Sequence, residues 1–340
     1  MDSHPTVSVI IPVYQAADYI ETCLSSLISQ DYPGKVECIL VDDRGSDGSM
    51  EIAGRFLEHY SGPISFIILS HERTRGAAAA RNTGIEAATG EYLFFLDSDD
   101  YLAVDTLTSL SSPLMDCPYD LVVGRHQEVG ALSGKGYSLP DGTILSGHDI
   151  IRNQLLKKLT INVWNKLINR SFVLNNNLFF KEGIIYEDDL WCFQSSSVAQ
   201  SLCVVDKITY YYTIREGSVM SSTVLQKRID SYLTILQEMY KCVQENGYRM
   251  NPLCHNRIEQ YRLDLFRMLS DEQKGFFRTY SSLREVMPKP WRDCFRMDGW
   301  RINKQIRDLH LALPVQAGAA YLYLWIKIES IIKSSKRCQP

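Results

Sequence analysis

The chain has 340 residues, of which 45% are hydrophobic and 22% charged, and its formal net charge is −4. This length accommodates one large α/β domain with a smaller appendage, and the acidic balance argues against general nucleic-acid binding. The 9 cysteines are scattered and lack C-x-x-C pairing, so we expect reduced thiols in the cytosol and no zinc site. We see neither a signal peptide nor a run approaching about 20 apolar residues, and expect no transmembrane helix.

The N-terminal region alternates predicted strands and helices. Val7–Val13 is a β-branched run in which Pro12 stands near the end, where its missing N–H is tolerated. Asp18–Ser29 has apolar residues at helical spacing. Val36–Val41 predicts a second buried strand, and Ser49–Tyr60 predicts a second helix. Strands and helices at this spacing predict parallel βαβ units with right-handed crossovers.

A third unit of the same kind follows. Ile64–Leu69 predicts a strand, and Arg75–Thr89 predicts a helix whose small residues allow close packing. Tyr92–Leu96 is a continuous run of β-prone residues, as expected for a parallel strand buried on both faces. Arg81 lies in the preceding helix, where it either faces a cleft or is an ordinary surface arginine.

Three aspartates stand directly after this buried strand: Asp97, Asp99 and Asp100. In open α/β sheets, ligands bind at the carboxyl ends of the strands. Carboxylates crowded there repel one another unless a cation lies between them, and oxygen ligands suit a hard divalent cation. The alternative is that Ser98–Asp100 is only a polar turn that caps the next helix.

The second part of the α/β region ends in another acidic cluster. Leu121–Val123 and Ser201–Thr213 predict strands, and Asp149–Lys158 and Leu190–Ala199 predict helices. Glu187–Asp189 precedes the last of these helices. Taken alone, these acids fit the first turn of a helix, where the helix dipole favours negative charge.

The chain is predicted to be helical from Leu225 onwards, so we expect one domain at 1–222 and a helical region at 223–340. Residues 257–340 hold 16 Lys and Arg against 9 Asp and Glu, a net charge of +7. A basic region on an acidic body suggests contact with an anionic surface such as a membrane. The apolar segment Ala317–Ile332 could equally be a helix docked on its own domain.

Several motifs occur together and in order: V-S-V-I-I-P-V-Y, V-D-D-R-G-S-D-G-S, A-A-A-R-N-T-G-I, G-E-Y-L-F-F-L-D-S-D-D, W-N-K-L and Y-E-D-D. In this combination the chain resembles a family 2 glycosyltransferase over residues 1–222. The resemblance implies the α/β GT-A fold, a Rossmann-like, mostly parallel sheet flanked by helices. It implies nothing for the helical C-terminal region.

The resemblance also implies a nucleotide-sugar-binding set, which comprises Pro12, Tyr14, Asp43, Arg81, Asp97, Ser98 and Arg215. By this resemblance Pro12 and Tyr14 line the nucleotide pocket, and Asp43 accepts the imide N–H of the base, usually uracil. Arg81 lies near the diphosphate or the donor sugar. Arg215 and Ser218 resemble a loop that closes on the diphosphate.

The same resemblance implies that the two acidic clusters serve metal binding and catalysis. Asp97 and Asp99 would hold Mn²⁺ or Mg²⁺, with Asp99 the more direct ligand. Asp188 is similar to the catalytic base of the family, and Glu187 stands beside it. Such a division suits glycosyl transfer, because the leaving diphosphate needs neutralisation and the acceptor hydroxyl must lose a proton. A single displacement of this kind inverts the anomeric centre.

The sequence thus predicts an inverting, metal-dependent glycosyltransferase that uses a nucleotide sugar, expected to be a UDP-sugar. The acceptor would be a glycan or lipid-linked glycan of a bacterial surface polysaccharide, and the enzyme would be cytoplasmic or peripheral on the inner membrane face. One alternative is a sugar-nucleotide pyrophosphorylase, but the glycine-rich basic loop expected near its N-terminus is absent. A dehydrogenase is disfavoured because G-x-G-x-x-G is missing after the first strand. A non-catalytic nucleotide- or glycan-binding protein on the same fold is the remaining alternative.

Overall fold

The computed structural model describes residues 4–129, 138–159, 162–214, 224–249, 251–286 and 302–337. Contacts along the chain divide it into two units, Met1–Ser222 and Thr223–Pro340. Every strand in the described residues belongs to the first unit, and the described part of the second unit contains helices alone.

One mixed sheet forms the centre of the first unit. Its strands, as far as the structure describes them, are β1 (Val7–Val13), β2 (Val36–Asp42), β3 (Ser65–Ser70), β4 (Tyr92–Phe95), β5 (Tyr101–Leu102), β6 (Leu121–Glu128), β7 (Ile144–Ser146), β8 (Lys166–Asn169) and β9 (Ser201–Tyr212). Their order is β3-β2-β1-β4-β8-β6-β9-β5, with β7 also paired to β9.

Most of these strands run in one direction. Strand β1 pairs in parallel with β2 and β4, β2 pairs in parallel with β3, and β6 with β9. The short strands β5, β7 and β8 are antiparallel to their neighbours. The predicted mostly parallel α/β sheet is therefore confirmed, with three short antiparallel strands that the sequence did not reveal.

Helices cover both faces of this sheet. In the first unit they are α1 (Ile20–Ile28), α2 (Ser49–Glu58), α3 (Ala77–Ala87), α4 (Thr106–Ser111), α5 (His148–Leu155), α6 (Arg170–Asn175) and α7 (Glu187–Val198), and a 3₁₀ turn at Ser112–Met115 follows α4. Side chains alternate between the two faces along each strand. Ile10 accordingly belongs to one hydrophobic cluster, and its neighbours Val9 and Ile11 belong to the other.

Helix α3 lies unusually close to strand β1. A Cβ atom added at Gly84 would stand 2.3 Å from Cγ2 of Ile10, a separation that packed atoms do not reach. A side chain at this position would therefore displace either helix α3 or Ile10. The close packing fixes the side chains of α3 relative to the carboxyl ends of the strands.

The described part of the second unit contains α8 (Leu225–Glu245), α9 (Pro252–Met268), α10 (Gln273–Val286), α11 (Ile302–Asp308), a 3₁₀ turn (Leu309–Leu311) and α12 (Val315–Arg337). Its core includes Phe266 and Phe276, whose ring centroids are 4.6 Å apart. Helix α9 begins with Pro252, and Asn251 caps it by accepting hydrogen bonds from two backbone N–H groups. None of the helices in the part of the chain that the structure describes combines the length and the hydropathy of a membrane span.

Candidate active site

The aspartates after β4 form a compact group of carboxylates. Oxygen atoms of Asp97, Asp99 and Asp100 lie within 4.8 Å of one another. Asp100 is buried, and its carboxylate accepts hydrogen bonds from the Tyr210 hydroxyl and the Thr213 backbone N–H, both at 2.7 Å. Burial, followed by repulsion from the other two carboxylates, raises the pKa of Asp100 to about 8. Three carboxylates this close to one another offer the oxygen ligands that a hard divalent cation prefers.

The interpretation of this stretch as a helix-capping turn does not account for these contacts. The side chain of Asp100 faces strand β9 instead of the following helix, because its partners are Tyr210 and Thr213. Ser98 is buried, and its contact with a nucleotide sugar stays a prediction. The hydroxyl of Tyr210 also accepts a hydrogen bond from the backbone N–H of Asp97 at 3.2 Å. Tyr210 therefore fixes both ends of the aspartate group.

The second acidic cluster begins helix α7. Tyr186, directly before it, has a left-handed backbone with φ of 64°, a conformation that costs energy in a bulky residue. Asp188 accepts a hydrogen bond from the backbone N–H of Asp189 at 2.9 Å. Burial, and then the neighbouring carboxylate of Glu187, raise the pKa of Asp188 to about 7, whereas Arg81 opposes this rise. A carboxylate with such a pKa can take a proton near neutral pH.

Arg81 connects the two clusters. Its Nη2 donates to Oδ1 of Asp97 and its Nη1 donates to Oε1 of Glu187, each at 2.9 Å. The arginine is 6% exposed, so its interpretation as a surface residue is wrong. Burial alone would lower the pKa of Arg81, but Asp97 and Glu187 raise it above the ordinary value. Two acidic groups distant in sequence thus meet at one permanently charged guanidinium.

Asp43 lies at the end of strand β2 and is 2% exposed. Its Oδ1 accepts the backbone N–H of Arg75 at 2.8 Å and is 2.7 Å from Nδ1 of His71, and its Oδ2 accepts the N–H of Gly76 at 2.7 Å. His71 in turn contacts the hydroxyl of Thr83 at 3.0 Å. Asp43 therefore fixes the start of helix α3. Its recognition of a nucleotide base stays a prediction.

Pro12 and Tyr14 lie at the neighbouring strand end. Pro12 is the residue of β1 that pairs with Val41 of β2, and Tyr14 is 41% exposed just beyond the strand. The backbone N–H of Asp43 donates to the carbonyl of Val13 at 3.0 Å. These three predicted nucleotide-binding residues therefore lie side by side at the carboxyl edge of the sheet. Arg215 and Ser218 lie outside the described residues.

Sequence reasoning missed several residues that shape the site. Tyr210 is one, although it begins a run of three tyrosines at the end of β9. Lys166, within the W-N-K-L motif, is another, and its ammonium donates to the carbonyl and the side-chain oxygen of Asn162. Burial lowers the pKa of Lys166. His71 gave no signal, because its partner Asp43 is 28 residues away.

Comparison with known proteins assigns the family. Residues 8–175 match the sequence model of the family described as "Glycosyl transferase family 2". The uncharacterized glycosyltransferase YibD of Escherichia coli (strain K12) is 30% identical over 226 residues, which are 64% of this chain and 64% of YibD. The poly(ribitol-phosphate) beta-N-acetylglucosaminyltransferase TarP of Staphylococcus aureus (strain N315) is 25% identical over 310 residues, 89% of this chain and 90% of TarP.

The fold also has a solved counterpart. The crystal structure of S. aureus TarS residues 1–349 in complex with UDP-GlcNAc has a TM-score of 0.71 at 21% identity, and the match covers 97% of this chain and 92% of that one. The predicted GT-A fold is thereby confirmed. Residues 8–175 match the family model and the named relatives are glycosyltransferases, so the pyrophosphorylase and dehydrogenase alternatives are wrong. On this evidence the chain belongs to glycosyltransferase family 2 and is a glycosyltransferase.

Proposed function

We propose that this glycosyltransferase moves a sugar from a UDP-sugar to a hydroxyl group of a glycan acceptor, with inversion and with the help of a divalent cation. The observation that carries the proposal is the position of Arg81, which holds Asp97 with one nitrogen and Glu187 with the other. An arginine side chain spans only a short distance. The aspartate group and the acidic start of α7 are therefore close enough to act on one substrate pair.

The chain's own carboxylates would hold the cation. Asp97 and Asp99 are the proposed ligands, and Asp100 completes the group within 4.8 Å. The raised pKa of Asp100 is in keeping with this, because burial and repulsion from Asp97 and Asp99 both disfavour its charge, and a bound cation would relieve the repulsion. When bound, Mn²⁺ or Mg²⁺ would neutralise the leaving diphosphate as a Lewis acid. Asp100 itself is held by Tyr210 and Thr213, so the group is preorganised.

Asp188 is the proposed catalytic base, with Glu187 beside it. A hydroxyl nucleophile needs a carboxylate that accepts its proton as the new bond forms, and this works best when the pKa of the base lies near the working pH. The pKa of Asp188, raised by burial and by Glu187 to about 7, meets that condition. One base and one displacement predict inversion at the anomeric carbon.

The relatives support the choice of donor and acceptor. TarS binds UDP-GlcNAc, and the name of TarP describes transfer of N-acetylglucosamine to poly(ribitol phosphate). We propose by analogy a UDP-sugar donor and a glycan or lipid-linked glycan acceptor in a bacterial surface polysaccharide. Pro12, Tyr14, Asp43, Ser98 and Arg215 would then contribute to the donor pocket.

We also propose cytoplasmic residence with peripheral membrane contact through residues 257–340. Helix α12 exposes Leu324, Ile328 and Ile331 at spacings of four and three residues, which places them along one side of the helix. The net charge of +7 in this region adds attraction to anionic lipid. Co-sedimentation with anionic and neutral vesicles tests this. Equal pelleting of the wild type and the double variant Leu324→Glu/Ile328→Glu would count against it.

The test of the main proposal is a donor screen with matched variants. UDP-sugars and GDP-mannose are incubated with candidate glycan acceptors and with Mn²⁺, Mg²⁺ or EDTA, and release of the nucleoside diphosphate is followed. Asp188→Asn should abolish most turnover. Asp149→Asn is the control, because Asp149 also lies in the first turn of a helix but its side chain is 60% exposed. Turnover by Asp188→Asn at the wild-type rate, or a product with retained configuration by NMR, would overturn the mechanism.

A further inference from the structure

The segment that leads to the proposed base has no regular secondary structure. Residues 178–186 form most of the connection between α6, which ends at Asn175, and α7, which carries Glu187 and Asp188. Because this connection is neither helix nor strand, no regular pattern of backbone hydrogen bonds fixes its position. The contacts of its side chains and backbone with the rest of the unit therefore decide where the acidic pair lies.

Asn82 of helix α3 makes the most specific of these contacts. Its Nδ2 donates to the backbone carbonyl of Phe180 at 2.9 Å, and its Oδ1 accepts the backbone N–H of Phe180 at 2.8 Å. Both hydrogen bonds are buried, and Asn82 is 8% exposed. One side-chain amide thus satisfies both backbone groups of a single residue, as a neighbouring strand would do.

Ring contacts hold the same residue from the other sides. The ring of Phe180 stacks on Trp191 of α7 at 5.3 Å and meets Phe95 of β4 edge-on at 5.4 Å. The guanidinium of Arg81 lies 5.4 Å from the centre of the Phe180 ring. Trp191 also donates its indole N–H to the carbonyl of Leu178 at 2.9 Å.

We infer that Asn82 is a positioning residue, which fixes segment 178–186 against α3 and so sets the distance between Asp188 and the aspartate group. The inference rests on the proposed function and adds a residue to it. Arg81 and Asn82 are consecutive in α3. One turn of this helix therefore binds both acidic clusters and also fixes segment 178–186, which leads to the second cluster. Loss of the Asn82 amide frees the carbonyl and the N–H of Phe180 from the helix.

Positioning of this kind affects the rate more than binding. A misplacement of about 1 Å between reacting groups can reduce a rate about 100-fold. Asp43, the proposed reader of the base, is held by His71 and by the backbone of Arg75 and Gly76, and not by the contacts of Phe180. Asn82→Ala should therefore lower kcat for transfer by about 10- to 100-fold and leave the Kd for UDP unchanged.

The experiment combines hydrogen–deuterium exchange with kinetics on the full chain. Exchange in peptides that cover 178–187 is compared between the wild type, Asn82→Ala, and Asn82→Asp, which keeps the acceptor for Phe180 N–H but loses the donor. Asn176→Ala is the control, because its Nδ2 also donates to a backbone carbonyl, that of Phe172, but links no part of α3. If Asn82→Ala does not fold, Asn82→Asp, which keeps the size of the side chain, supplies the comparison with the wild type by itself.

Faster exchange at 178–187 together with a lower kcat and an unchanged Kd for UDP is the expected result for both Asn82 variants. Unchanged exchange in this segment overturns the inference, and so does faster exchange with normal kcat. A wild-type protein that releases no diphosphate with any donor and acceptor overturns the proposed function. The exchange data then still decide whether Asn82 fixes the segment.

Discussion

Replacing Asp188 by asparagine should remove activity and yet stabilise the protein at alkaline pH. Asparagine has the same shape, and its side-chain oxygen can still accept the N–H of Asp189, which is 2.9 Å from Oδ1 in the structure. The variant therefore differs chiefly in charge. The loss of activity and the gain in stability can therefore both be attributed to the charge of one carboxylate.

The size of the stability effect follows from the pKa. Burial and Glu187 raise the pKa of Asp188 from 3.8 to about 7, and at about 1.36 kcal/mol per pH unit this corresponds to roughly 4 kcal/mol at most. Asp188 is only partly shielded from solvent, so we expect about 2 kcal/mol. The folded protein holds this proton to higher pH than the unfolded chain, and wild-type stability therefore falls as pH rises from about 4 to about 7.

Urea unfolding of the wild type and Asp188→Asn at about pH 4.5 and about pH 8 measures this difference. The advantage of the variant should be small at the lower pH and about 2 kcal/mol at the higher one. Loss of a general base should cut turnover by about 100- to 10,000-fold and remove the acidic limb of the rate near pH 7. A stability difference that does not change with pH would refute the assigned pKa, and Asp149→Asn controls for loss of any exposed carboxylate.

Three further predictions concern charge and packing. Arg81→Gln leaves both acidic clusters without their shared partner. It should lower the free energy of unfolding by about 3 kcal/mol, the lower end expected for a broken buried ion pair. Arg81→Lys should recover only part of this loss, because an ammonium cannot bind both clusters. Mn²⁺ at 100 times its Kd should stabilise the wild type by about 2.7 kcal/mol and Asp99→Asn much less, with reversal by EDTA in thermal melts. Gly84→Ala should destabilise the protein by about 1–3 kcal/mol, because the added methyl group overlaps Ile10. In the control Gly54→Ala the added Cβ meets nothing within 4 Å, so this change should stabilise α2 by up to about 1 kcal/mol. Equal effects of the two changes would contradict the described packing of α3.

Strands with a strong local hydrophobic pattern were predictable from the sequence. Strands that form only because neighbouring strands pair with them were not. The run Tyr92–Phe95 is apolar and buried at every position, so its own sequence was enough to predict a buried strand. Strand β8, Lys166–Asn169, is as short, but it begins with a lysine and ends with an asparagine. It is a strand because β4 and β6 both pair with it. Sequence reasoning sees periodicity within a segment but not the neighbours that complete a short strand.

The site shows the same division. Each acidic motif was visible as a motif, yet each alone also fitted a helix start or a turn. What relates them is a pair of 2.9 Å contacts from Arg81, one of which spans 106 residues. The bond between Tyr210 and Asp100 likewise spans 110 residues. Contacts of this kind depend on the packing of α3 and β9 against the sheet, and no local signal encodes that packing.

The two raised pKa values together predict a pH profile that depends on metal. Asp188, with a pKa of about 7, and Asp100, with a pKa of about 8, are both deprotonated in the active form we propose. At low Mn²⁺ the logarithm of kcat/KM should therefore rise with a slope of two below about pH 7. A cation competes with the proton at the aspartate group, so saturating Mn²⁺ moves that titration to lower pH and leaves the slope of one due to Asp188. An identical slope at both Mn²⁺ concentrations would mean that Asp100 does not belong to the cation site, and the site would then rest on Asp97 and Asp99 alone.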